Sequence, residues 1–145
     1  MTKHVLVPLD GSESSWDAVD YAFDQYDGER ITILHVIDPA DGVYAGSDSG
    51  YYDSTTFDRA RERGEQLCDE ATDRFEEGNY SSSTVLETAV ETGRPSHTIL
   101  RAADDRNVDH IVMGSHGRSG ISRILLGSVA ETVTRRAAVP VTIVR

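Results

Sequence analysis

The chain has 145 residues, of which 25 are acidic and 14 basic, and its formal net charge at pH 7 is -11. This length and a content of 38% hydrophobic residues predict one folded domain over residues 1–145 rather than a disordered chain. The acidic balance argues against a general binder of nucleic acid or of anionic membranes, because affinity for phosphate needs Lys and Arg.

Short apolar runs alternate along the chain with segments of helical periodicity. Five runs have the character of buried parallel strands: His4 to Asp10, Ile31 to Asp38, Ser82 to Glu91, Asp109 to Ser115 and Val139 to Arg145. The third run alternates more than the others and is expected nearer a sheet edge. The segments between them predict four helices: Ser14 to Tyr26, Thr56 to Glu77, Pro95 to Asp105 and Ser128 to Ala138. This order predicts an α/β sandwich around a mainly parallel sheet.

Side chains on these helices carry further expectations. Trp16 and Phe23 lie on the apolar stripe of the first helix and are expected in the core. Cys68 is the one cysteine, so an intrachain disulfide is excluded, and its helical surroundings favour a buried, inert thiol. Ser128 and Glu131 have the spacing of a capping box at the start of the last helix.

The segment from Asp38 to Asp58 is rich in Gly, Ser, Asp and Tyr and has no helical or strand pattern. Loops of about twenty residues are usually functional or disordered. Because it follows the second strand on the side where ligands of such sheets bind, a flap over a ligand is favoured over a solvated spacer.

A glycine-rich loop between Met113 and Ser128 carries the clearest chemical signal. It leaves a buried strand and leads into the last helix, with glycines where backbone N–H groups can approach a bulky anion. The start of the helix adds the positive end of its dipole, and Arg118 and Arg123 add charge. These features indicate a phosphate site, although neither a P-loop nor a dinucleotide GxGxxG is present.

The spacing Gly114-x-x-Gly117, followed after nine residues by Gly127-Ser128, resembles the nucleotide signature of the universal stress protein family, in its ATP-binding branch. The opening HVLVPLDGSESS, the second strand LHVID and the closing AAVPVTIVR are also similar to that family, so the resemblance covers essentially the whole chain. It implies a Rossmann-like fold with four helices around a five-stranded parallel sheet in the order 3-2-1-4-5. Such a sheet binds ligands where the order reverses.

The resemblance also implies residue roles. Asp10 matches the acid close to the ribose and phosphates, Val36 matches the residue whose backbone meets adenine, and Pro8 and Leu9 are expected beside the adenine. The phosphate-binding positions and their further contacts are Gly114, Ser115, Gly117, Arg118, Ser119, Gly127, Ser128 and Val129. From the residues alone, Asp10 could also be a turn former or a cap of the following helix. A dual role is expected, with ligand contact favoured by its place at the switch point. His116 is interpreted as a loop residue whose backbone matters, and the other histidines as structural.

The preferred hypothesis is an ATP-binding regulatory module of the stress response that presents a nucleotide-dependent surface to a protein partner. A slow ATPase or autophosphorylating enzyme, using Asp10 with Mg or Mn, is the alternative, because no second acid or catalytic Lys is evident. A chaperone-like dimer with a vestigial glycine loop is a third. The closing strand, residues 139–144, should be a sheet edge, and its antiparallel pairing with a second copy predicts a homodimer.

The kind and the distribution of charge add two expectations. Of the basic residues only Lys3 is Lys, and Asp outnumbers Glu, which suits either a halophile-like protein in concentrated salt or an ordinary acidic cytosolic protein. The N-terminal segment shows no secretory leader and no apolar run reaches membrane-spanning length, so a cytoplasmic location is predicted. Residues 110–145, which contain the glycine loop, hold five basic residues and one acidic residue.

Overall fold

The computed structural model describes residues 2–40, 54–116 and 125–145, and strands alternate with helices along them. The strands are β1 (His4–Pro8), β2 (Arg30–Ile37), β3 (Val85–Thr92), β4 (His110–Gly114) and β5 (Val141–Val144). The helices are α1 (Glu13–Gln25), α2 (Ser54–Glu77), α3 (Pro95–Asp105) and α4 (Ser128–Arg136). All pairings between strands are parallel, and the order is β3-β2-β1-β4-β5. The predicted α/β fold and its strand order are therefore confirmed, with β3 and β5 at the two edges.

The core forms two layers, one on each face of the sheet. Alternate strand residues point to opposite faces, so Val5 and Val7 pack under α1 and α2, while Leu6 packs under α3 and α4. Phe23 is fully buried in the first layer, as predicted. Trp16 is only half-buried, because it lies at the border of that layer, where the Arg74 guanidinium lies 4.1 Å from its ring centroid.

Cys68 on α2 is buried, and this burial raises the pKa of its thiol to about 11. The prediction of a buried thiol is therefore confirmed, and a thiol with a raised pKa is the less nucleophilic, protonated form at neutral pH. In the ranges that the structure describes, no helix has the length and apolar composition needed to cross a bilayer.

Two histidines join elements at the end of the sheet opposite the carboxyl ends of the strands. The His4 Nδ1–H donates to the Arg106 carbonyl at 3.1 Å, and its Nε2 lies 2.7 Å from the Thr32 hydroxyl, which donates to it. His110 Nε2 lies 2.6 Å from the Thr142 hydroxyl. Burial lowers the pKa of both imidazoles, because the charged form loses hydration there. The neutral rings are therefore the forms that the folded protein favours.

A depressed histidine pKa makes the unfolded chain bind more protons than the native state as the pH falls below about 6.5. The free energy of unfolding should therefore decrease between pH 7.5 and pH 5.5, as measured by urea denaturation. His4→Asn should reduce this pH dependence, and His97→Asn, on the exposed side of α3, is the control for removal of one histidine. Equal pH dependence in wild type and His4→Asn would contradict the assignment.

Candidate functional site

A cleft of about 560 Å³ opens beyond the carboxyl ends of β1, β2 and β4. At this point the sheet order reverses, because β1 leads to α1 on one face while its neighbour β4 leads to α4 on the other. Such a reversal leaves a crevice between the two connections that leave these strands. The volume lies within the range of about 300–1,000 Å³ that small-molecule sites occupy. The cleft is therefore the candidate ligand site of this fold.

The structure brings part of the predicted set into this cleft. Six of the predicted residues line it: Pro8, Leu9, Asp10, Val36, Gly114 and Val129. Ser115 is buried next to the cleft wall, and Gly127 and Ser128 lie at the start of α4. Gly117, Arg118 and Ser119 lie outside the described residues, as does the greater part of the loop between Asp38 and Asp58.

The described ends of the glycine loop are joined to each other and to the sheet. The Gly127 N–H donates to the Ser115 carbonyl at 2.7 Å, and the Ser115 N–H donates to the Val144 carbonyl at 2.9 Å. The Ser115 hydroxyl also lies 2.9 Å from His116 Nδ1. The loop therefore leaves and re-enters the fold at one place, beside the N-terminus of α4.

The N-cap of α4 is Gly127, so the predicted capping box is wrong. Ser128 is already the first helical residue, and its carbonyl accepts from the Thr132 hydroxyl at 2.9 Å. Gly127 has no side chain with which to cap the helix, and its carbonyl accepts the first helical hydrogen bond, from the Glu131 N–H at 2.9 Å. The first N–H groups of α4 have no partner within the helix. They can therefore serve a ligand anion.

The N-terminus of α1 approaches the end of β4 very closely. A Cβ at Gly114 would lie 2.5 Å from Oγ, 2.6 Å from the carbonyl carbon and 2.8 Å from the carbonyl oxygen of Ser14. The Ser14 hydroxyl then donates to the His116 carbonyl at 2.5 Å. Glycine is thus needed at Gly114 for packing between protein segments, whereas the sequence argument explained it by the approach of an anion.

Gly127 has a similar packing constraint. A Cβ there would lie 2.9 Å from the Cα atom and 3.2 Å from the Cβ atom of His116. Both described glycines of the nucleotide signature therefore allow protein segments to meet at the cleft.

Asp10 forms the turn between β1 and α1. Its Oδ1 accepts from the Ser12 N–H at 2.9 Å, and the Ser12 side chain in turn accepts from the Ser15 N–H at 3.3 Å as the N-cap of α1. The turn-forming interpretation of Asp10 is thus observed, while the capping role belongs to Ser12. Asp10 also lines the cleft, and within the described residues no hydrogen bond is made to its second carboxylate oxygen.

His35 and Arg63 are among the cleft residues on the side of β2 and α2 that sequence reasoning missed. The His35 Nδ1–H donates to the Leu9 carbonyl at 2.8 Å, and its ring lies so close to α2 that a Cβ at Gly64 would be 2.5 Å from its Cδ2 atom. The preceding residue, Arg63, reaches the cleft wall. The glycine within the charged sequence of α2 was the available signal, because a helix glycine often marks a close approach.

The described residues contain no group of three or more His, Cys, Asp or Glu side chains that could hold a metal ion. The carboxylates that line the cleft are those of Asp10 and Asp38, and one Asp38 oxygen accepts from the Ala40 N–H at 2.9 Å. A divalent cation here would therefore need ligand oxygens in addition to Asp10.

The parallel order, the reversal between β1 and β4 and the cleft above it define a doubly wound α/β protein with a cleft at its switch point. The chain belongs to the universal stress protein family, whose model matches residues 1–145.

Similar proteins support this assignment over their full length. The universal stress protein MJ0577 of Methanocaldococcus jannaschii is 31% identical, over 100% of this chain and 96% of its own. YxiE of Bacillus subtilis is 32% identical over the whole of both chains. The solved structure of MJ0577 superposes with a TM-score of 0.80 at 29% identity, covering 99% of this chain and 96% of that one. A universal stress protein solved in complex with cAMP has a TM-score of 0.68 at 27% identity and covers 99% and 97% of the two chains.

Gly114→Ala should lower the free energy of unfolding by about 1–3 kcal/mol, because the methyl group meets the backbone of Ser14 and forces α1 away from β4. Denaturant unfolding measures this loss. The double variant Gly114→Ala with Ser14→Gly removes the hydroxyl but leaves the backbone carbonyl at 2.8 Å, so it should not recover stability. Recovery in the double variant would contradict a backbone constraint.

Proposed function

We propose that this chain is a single nucleotide-binding domain that holds ATP in the cleft and acts as a regulatory module in a stress response. The observation that carries the proposal is the meeting of the α1 and α4 N-termini beside one cleft with apolar walls. Helix N-termini favour anions through their free N–H groups and dipoles. The relative solved with cAMP supports an adenine nucleotide as the ligand class.

The cleft offers each part of an adenine nucleotide a suitable surface. Val36 lies on the apolar side, together with Pro8 and Leu9, and its backbone can meet the adenine edge. Asp10 suits the ribose hydroxyls, because its carboxylate accepts hydrogen bonds. The phosphates belong at the start of α4, at Gly127, Ser128 and Val129, with Gly114, Ser115, Gly117, Arg118 and Ser119 as the loop positions.

The residues present fit ATP better than they fit a dedicated metal site. The bound triphosphate would supply oxygen ligands for Mg or Mn, and the Asp10 carboxylate would supply a further one. The N–H groups of α4 would donate to the phosphate oxygens. Phosphoryl transfer needs a positioned base or water and charge stabilisation. We therefore prefer binding with a change in surface over hydrolysis, and the partner would be a protein that contacts the ordered loop.

Isothermal titration calorimetry with ATP tests the site. Val36→Trp, which places a large ring on the apolar side of the cleft, should weaken ATP binding by more than about tenfold, a loss of about 1.4 kcal/mol. Val85→Trp is the matched control, since Val85 is 49% exposed on β3 away from the cleft, and it should bind like wild type. Equal affinity in both variants would contradict the location of the site.

The same samples separate the alternative functions. Phosphate release that is lost in Asp10→Asn would support the slow ATPase, and an added phosphate in the intact mass after incubation with Mg-ATP would support autophosphorylation. No binding of ATP, ADP, AMP or cAMP to the wild-type protein would favour the chaperone-like dimer.

We also propose a homodimer through the closing strand, residues 139–144. β5 is an edge strand of half-buried residues, and no strand of the described ranges pairs with its second edge. We further propose a cytoplasmic, salt-tolerant protein with an acidic surface. Neither nucleic acid nor membrane is expected as a partner.

Light scattering coupled to size-exclusion chromatography should give the mass of a dimer at micromolar concentration. Val141→Pro removes a backbone N–H at the first residue of β5, where proline is tolerated, and should shift the protein toward monomer. Circular dichroism serves as the folding control. A wild-type monomer over the whole concentration range would contradict the proposal.

A further inference from the structure

Arg63 lies on α2 and lines the cleft. Its guanidinium rests over the turn that follows β1, with one Nη atom 3.1 Å from the position of a Cβ on Gly11. Gly11 has a φ of 89°, so the backbone turns there directly into Ser12 and the N-terminus of α1. The guanidinium therefore lies one residue away from the N-cap of a helix that points at the cleft.

Three contacts hold the part of α2 that carries Arg63 against the end of the sheet. The side chain of Leu67, one turn further along α2, also packs on Gly11 and is buried in the core. Gly64, the residue after Arg63, rests on the His35 ring, which is itself bonded to the Leu9 carbonyl. α2 can approach this closely only because position 64 lacks a side chain. Arg63 is thus brought to the wall of the cleft by buried packing.

The charge of Arg63 is not neutralised by an ion pair within the part of the chain that the structure describes. Arg61 and Arg74 on the same helix pair with Glu65 and with Asp20 and Glu70, respectively. Among the described residues of the cleft wall, Arg63 is the arginine, and the wall also holds the carboxylates of Asp10 and Asp38. An arginine at the mouth of such a cleft is a candidate contact for an anionic ligand.

We infer that Arg63 binds the terminal phosphates of the nucleotide from the α2 side, opposite the N-terminus of α4. This inference rests on the proposed function and adds to it a residue that discriminates by phosphate number. The planar guanidinium makes two parallel hydrogen bonds to phosphate oxygens. The Asp10 and Asp38 carboxylates of the cleft repel anions. The positive charge of Arg63 on the α2 side offsets this repulsion and favours a ligand with more phosphate groups, ATP over AMP.

Calorimetric titration of wild type and Arg63→Gln with ATP, ADP, AMP and adenosine tests the inference. Loss of one charge-assisted contact should weaken ATP binding about tenfold and adenosine binding less than about twofold. Arg63→Lys keeps the charge without the planar fork and should recover part of the ATP affinity. Arg61→Gln is the matched control, because this exposed arginine of α2 pairs with Glu65, and it should bind every ligand like wild type.

Two results would overturn the role of Arg63 while nucleotide binding itself stands. In the first, Arg63→Gln binds ATP with wild-type affinity. In the second, it weakens adenosine as much as ATP, which would place the guanidinium on the base or ribose. Failure of the proposed function looks different, because wild type itself would then bind none of the four ligands, and the inference would fall with it.

Discussion

The close approach of α1 to the end of β4 is the constraint on which the cleft depends. The neighbouring strands β1 and β4 lead to opposite faces of the sheet, so the segments that follow them diverge unless a contact joins them. At Gly114 the backbone of Ser14 occupies the space of a side chain, and the Ser14 hydroxyl bonds the His116 carbonyl. This contact holds the N-terminus of α1 beside the start of the glycine loop. Residues at both helix N-termini, Ser12 and Ser15 of α1 and Val129 of α4, thereby line one cleft.

The charge is unevenly distributed along the chain, which the total conceals. The net charge of -11 arises from the first three quarters of the chain, whereas residues 110–145 carry an excess of basic residues. Acidic residues such as Asp20, Asp24 and Glu65 lie on the exposed sides of helices, where several pair with arginine or tyrosine. N–H groups at helix N-termini and arginine side chains attract anions, whereas exposed carboxylates repel them.

The elements of the fold were predictable because their patterns are local. Runs such as Ile31–Ile37 consist of β-branched and apolar residues that suit a strand covered on both faces, and β2 forms there. The N-cap of α4 was misassigned because Ser128 and Glu131 satisfy a spacing rule, whereas the Gly127 N–H is bound by the Ser115 carbonyl from the other end of the loop. A contact between residues twelve positions apart is not visible in a four-residue pattern.

The sequence by itself determined the α/β class, the strands and the family, and it located six residues of the cleft wall, among them Pro8 to Asp10 and Val36. Tertiary structure decided why the glycines are needed and which residues of α2 reach the site. Gly114 and Gly127 resemble phosphate-loop glycines in sequence, yet the atoms that exclude a side chain there belong to Ser14 and His116. In the sequence, Arg63 is one of several arginines on a charged helix. In the structure, the contact between Gly64 and His35 brings it to the cleft. Steric exclusion acts between segments distant in the chain, so only the packed structure reveals it.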